Sequence, residues 1–111
     1  MTRRKEEVLI VFVSTSGEEE AQRIGEALVQ ARHAACVTVL PGVLSMYWWE
    51  GALTKDREAL LLAKTTSGQY QALEQMVKAL HSYKVPEVLA LRTSDGLPQY
   101  IEWVMSETSK R

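Results

Sequence analysis

The side chains best suited to hold a soft metal ion are few: two histidines, His33 and His81, and one cysteine, Cys36. Imidazole suits copper and zinc, and thiolate suits Cu(I). No HxH, HExxH or CxxC spacing occurs, so a transition-metal site would have to be completed by an assembly rather than by one chain. His81 sits at the end of a helical pattern. It reads either as a residue that favours the helix dipole when charged or as a metal ligand. Cys36 opens an apolar strand, where it reads either as a small core group or as a soft donor. His33, just past an earlier helix, is the weaker candidate. Glu58 and Lys64 share a strand face but stand about 20 Å apart at strand rise, so they cannot pair with each other. Lys64 reads either as a snorkelling strand-end lysine or as an anion-binding group. Glu87 suits a surface ion pair. Trp49, Tyr83, Tyr100 and Trp103 read either as packing anchors or as the wall of a pocket. There is no GxSxG, no phosphate loop and no nucleophile–base constellation, so the chain is read as a non-enzyme.

The elements that must position these groups follow from periodicity. "VLIVFV" (8–13) is a continuous apolar run, as for a central strand. Ser16 with Glu19 has capping-box spacing, and Ala21, Ile24, Leu28 and Ala31 make one helical stripe. Residues 35–49 read as a long strand bent at Pro41-Gly42. Glu50-Gly51 is a tight turn, and residues 52–66 return. Thr66 and Gln69 repeat the capping-box spacing before a helix carrying Tyr70, Leu73, Val77 and Leu80. Pro86 ends that region in extended backbone, "VLALR" (88–92) is a fourth strand, and Pro98 opens a short last helix.

The order strand, helix, strand, strand, helix, strand is the split βαβ, ferredoxin-like pattern: an α+β sandwich with a long bent hairpin, in a single domain over residues 1–111 with an ordered core of about 8–108. Residues 1–7 and 106–111 are polar and expected to be loose. Two helices on one sheet face leave the other face bare. Yet Val8, Ile10 and Phe12 alternate with Leu9, Val11 and Val13, Leu60 and Leu62 oppose Ala59, Leu61 and Ala63, and Val88 and Ala90 oppose Leu89 and Leu91, so these strands are apolar on both faces. Such a patch exceeds what a monomer tolerates, and oligomerisation is inferred from it. Trp48 and Trp49 are adjacent, so in a strand they face opposite sides. Both need cover, and a neighbouring chain is the natural source.

With 111 residues, a net charge of −1 and scattered basic residues, the chain lacks the basic stripe of a nucleic-acid binder. Its one basic run, Arg3 to Lys5, is followed at once by acids. No apolar run is long enough for a membrane span or a signal-peptide core, and the chain is read as cytoplasmic, without a membrane partner.

"AACVTVLPGVLSMYWWEG", Glu58, "LLLAKTT", "HSYKVPEVLAL", and Tyr100 with Trp103 together resemble the CutA divalent-cation-tolerance family, from about Val8 to Thr108. His33, Thr38 and Ser82 stand where that family usually has Leu, Asn and Pro. The resemblance implies a trimer whose sheets face a threefold axis, with hairpins crossing subunit boundaries, similar in architecture to the P-II nitrogen-regulatory proteins. It implies tolerance to copper and other divalent ions, with copper or another divalent metal bound weakly. His81 and Cys36 are then the candidate ligands. Trp49, Glu58, Lys64, Tyr83, Glu87, Tyr100 and Trp103 are the candidate lining of an intersubunit cleft. Two other readings stand beside it: a P-II-like sensor binding a small anion through Lys64, and a rigid scaffold without ligand.

Overall fold

A computed structural model describes residues 6–110; the basic run Arg3 to Lys5 lies outside them. Seven elements follow in order: β1 (Val8–Thr15), α1 (Glu18–Gln30), β2 (Cys36–Trp49), β3 (Ala52–Thr66), α2 (Tyr70–Leu80), β4 (Val88–Arg92) and α3 (Pro98–Ser109). The sheet order is β2-β3-β1-β4 and every pairing is antiparallel, which is the ferredoxin-like arrangement expected.

One face of the sheet carries the core. Leu9, Val11 and Val13 of β1 and Leu61 and Ala63 of β3 pack against Ile24 and Leu28 of α1 and Leu73 and Val77 of α2. Gly25 lets α1 approach closely, since a Cβ there would lie 2.9 Å from Val37 Cγ1. On the opposite face, Ile10 and Phe12 are half-buried, and Leu89 and Leu91 are 61% and 54% exposed. The two-sided apolar strands inferred from sequence therefore stand as a sheet whose second face is apolar and only partly covered, by α3, which leaves Leu89 and Leu91 open.

The hairpin of β2 and β3 runs beyond the other strands. It stretches the longest dimension to 48 Å and the radius of gyration to 14.9 Å, against about 13 Å for a compact chain of this length. A β-bulge between Leu40 and Val43 contains Pro41 and Gly42, and Gly42 has φ 67°. Past it, Trp48 pairs with Leu53 and Trp49 with Ala52, so the two indoles do face opposite sides. Both are exposed, at 75% and 63%. The turn between them is Glu50-Gly51, with positive φ at both residues, as a type I′ hairpin requires.

Neither capping box forms at its expected spacing. The N-cap of α1 is Gly17, without a side-chain bond. Glu20, not Glu19, turns back, accepting hydrogen bonds from the Ser16 N–H and hydroxyl at 2.9 Å each. Before α2, the Gly68 N–H donates to Glu6 Oε1 at 2.6 Å, which ties Glu6 to the fold. The last helix is as long as α2. It stays helical to Ser109 because buried Thr108 and an Arg32–Glu107 ion pair at 2.7 Å anchor it.

Candidate functional site

The candidate residues divide between two places. The first is a groove of about 700 Å³ beside the outer half of the hairpin, lined by Ser14, Ser45, Met46, Tyr47, Trp49, Glu58, Tyr83, Lys84, Val85 and Glu87. After the bulge, Tyr47 and Trp49 lie on the same sheet face as Asp56 and Glu58. The segment after α2, held extended at Val85 by Pro86, supplies the facing wall. Tyr83 donates its phenolic hydrogen to Glu58 Oε2, and Tyr47 donates to Asp56 Oδ2. Burial, the bond to Glu58 and the charges of Glu58, Asp56 and Glu20 all push the Tyr83 phenol well above its ordinary range. The bond to Asp56, then partial desolvation and the charges of Asp56 and Glu58, raise Tyr47. The groove is thus aromatic and negative.

The second place is the inner end of the hairpin, around Lys64, six residues beyond Glu58 along β3 and about 20 Å away at strand rise. Lys64 Nζ donates to Thr38 Oγ1 at 2.6 Å and stands 3.8 Å from Cys36 Sγ. Tyr100 borders Cys36; desolvation first, and then Cys36, raises its phenol. Its ring centroid lies 5.6 Å from that of Trp103. Lys64 and Trp49 therefore do not share a wall.

His81 belongs to neither surface, because its side chain is fully buried. Its Nε2 lies 2.7 Å from the Ser14 carbonyl, and its Nδ1 faces the Tyr83 N–H at 3.0 Å. A carbonyl only accepts and an amide N–H only donates. These partners fit the tautomer that donates from Nε2 and accepts at Nδ1. Glu20, also buried, lies 3.8 Å from Nδ1 and accepts the Ser82 N–H at 2.6 Å. His81 and Glu20 together clamp the loop that carries Tyr83 into the groove. His33 Nδ1 lies 3.0 Å from Gln69 Oε1. Among the described residues, no three His, Cys, Asp or Glu side chains cluster as metal ligands.

Asp56 and Glu20 were not singled out from the sequence. Asp56 had a signal: it is two residues from Glu58, hence on the same strand face. Glu20 had only its place among three glutamates at a helix start.

The divalent-ion-tolerance motifs are now placed on a ferredoxin-like fold with a projecting hairpin. Residues 9–107 match the family model of the CutA1 divalent ion tolerance protein. The chain belongs to that family. It is 43% identical over 99 residues to the divalent-cation tolerance protein CutA of Thermus thermophilus, covering 89% of this chain and 96% of that protein. It is 40% identical to the chloroplastic protein CutA 1 of Oryza sativa over 90% of this chain, but spans only 56% of that longer relative. The crystal structure of CutA from Xylella fastidiosa superposes with a TM-score of 0.90 at 39% identity, over 92% of this chain and 98% of that one. Among the described residues of this CutA1 family member, no helix is long and apolar enough to cross a membrane.

Proposed function

We propose that the chain acts in the cytoplasm as a non-enzymatic homotrimer that contributes to divalent-cation tolerance, binding copper or a similar ion at sites completed between subunits. The observation that carries this reading is the apolar sheet face left partly open at Leu89 and Leu91. Covering Leu89 and Leu91 would contribute about 1.5–3 kcal/mol for each side chain fully buried. The absence of a three-ligand cluster among the described residues supports assembly as the route to any metal site. Cys36 lies on that face, paired across from Lys64 and half-buried beside Lys64 and Tyr100, so a metal shared with a second chain would have to displace those side chains. His81 could serve as a ligand only by giving up a backbone hydrogen bond. Light scattering with a Cu(II) titration by calorimetry tests the reading. The expected result is an oligomer with saturable binding that weakens in Cys36→Ser and His81→Ala at unchanged mass. A monomer, or equal binding in all three proteins, refutes it.

A second reading, a P-II-like sensor of a small ligand, is favoured by the size and shape of the groove beside Trp49. The scaffold reading has no observation of its own.

A further inference from the structure

We infer that the groove beside Trp49 takes an organic cation, a small ammonium or guanidinium compound; this rests on the sensor reading and names its ligand class. Four features of the groove converge on that class. Its volume of about 700 Å³ lies in the usual range for small-molecule sites and far exceeds one dehydrated metal ion. Its aromatic side chains, Tyr47, Trp49 and Tyr83, offer ring faces, which attract a cation within about 6 Å of a ring centre. Glu58 is 7% exposed. One of its oxygens holds the Tyr83 phenol, while the other has no hydrogen-bond partner among the described residues. That carboxylate lies deep in the groove and is left to face an occupant. Glu87, exposed at the rim, adds a second negative charge.

The competing ligand classes fit less well. An anion would enter beside Glu58, Glu87 and the nearby Asp56 with only Lys84 to meet it, and Lys84 is exposed. A bare divalent ion would need three or more converging donors, and the described residues provide no such cluster. An uncharged ligand would leave the free Glu58 oxygen covered without a counter-charge.

The test is a titration of the intact protein, followed by tryptophan fluorescence and calorimetry. The probes are tetramethylammonium and n-butylammonium chloride, neutral tert-butanol, and sodium phosphate and acetate. Glu58→Gln keeps the shape and an acceptor for Tyr83 while removing the charge. Trp49→Leu alters a residue that is exposed in the single chain, and light scattering and circular dichroism check the assembly and fold of both variants. The expected result is saturable binding of at least one cation. It should weaken about tenfold in Glu58→Gln and about 3- to 30-fold in Trp49→Leu, with no saturable binding of tert-butanol, phosphate or acetate. Saturable binding of phosphate or acetate overturns the ligand class and leaves the sensor reading standing. Cation binding unchanged in both variants, or matched by tert-butanol, overturns the assignment of the site. No saturable binding of any probe overturns both.

Discussion

Glu20 should be the most pH-sensitive contributor to stability in this chain. Its side chain is 4% exposed. Burial alone would raise its pKa, but the hydrogen bonds from the backbone and hydroxyl groups of Ser16 and Ser82 outweigh burial and hold it at about 2, against 4.5 for an unperturbed group. At about 1.4 kcal/mol per pH unit, that difference stabilises the fold by about 3 kcal/mol. The folded-state pKa lies below the unfolded one. The contribution is therefore complete above about pH 5 and is lost as pH falls toward 2, leaving about 1.5 kcal/mol near pH 3. Glu20→Gln removes the charge and turns an NH₂ group toward one of its donors. We expect it to cost about 3 kcal/mol at neutral pH, and the gap from the parent protein to narrow by about half near pH 3. Urea unfolding at fixed protein concentration, from about pH 7 down to 3, measures both. A gap that stays constant across that range, or one below about 0.5 kcal/mol at neutral pH, would refute the reasoning.

Two further predictions concern the hairpin and its groove. Glu50 holds φ 49° in the type I′ turn, a conformation that costs most residues about 1 kcal/mol and asparagine less. Glu50→Asn should therefore stabilise the fold by about 0.5–1 kcal/mol in denaturant unfolding, and an unchanged or lower midpoint counts against the turn assignment. Tyr83 should be the last of the four tyrosines to ionise in an ultraviolet pH titration, since the other three are raised less far above the ordinary phenol range. Glu58→Gln should move its titration down toward theirs, and a Tyr83 that titrates together with the other three in the parent protein rules out the bond to Glu58.

Much of the fold could be read from periodicity, because each segment has a sheet or helix pattern that packing reinforces. The continuous runs at Val8 and Leu60, the Glu50-Gly51 turn and the stop at Pro86 all fall where chain chemistry puts them. The caps did not follow their spacing. Gly17 and Gly68 each add a residue of turn, which moved the back-bonding carboxylate to Glu20 in one case and to distant Glu6 in the other. The site was half legible. Trp49, Glu58, Tyr83 and Glu87 do converge, but Lys64 and Tyr100 gather around Cys36 instead. Motif membership does not encode that partition. It comes from the length of β3, along which Glu58 and Lys64 are fixed more than a groove's width apart. The surroundings of His81 were illegible for a related reason: its partners are backbone groups of Ser14 and Tyr83, and backbone groups leave no residue-type signal.

The bulge at Pro41-Gly42 also governs how this hairpin can tolerate changes in length. Three steps along β2 match two along β3 there. Deleting one residue there would leave two steps against two, so the ladder could close without the bulge, and the distal pairs, Tyr47 with Thr54 and Trp49 with Ala52, would keep their faces. The deletion would instead remove the bend and added twist that a bulge gives its strand, and with them the direction in which the arm carries Trp49. A one-residue insertion in the regular ladder beyond Val43 has the opposite effect: it slips the register by one, turning Trp48 toward Asp56 and Glu58 while Tyr47 and Trp49 turn away. The bulge is thus the point of this arm where a change in length alters its aim and not its faces.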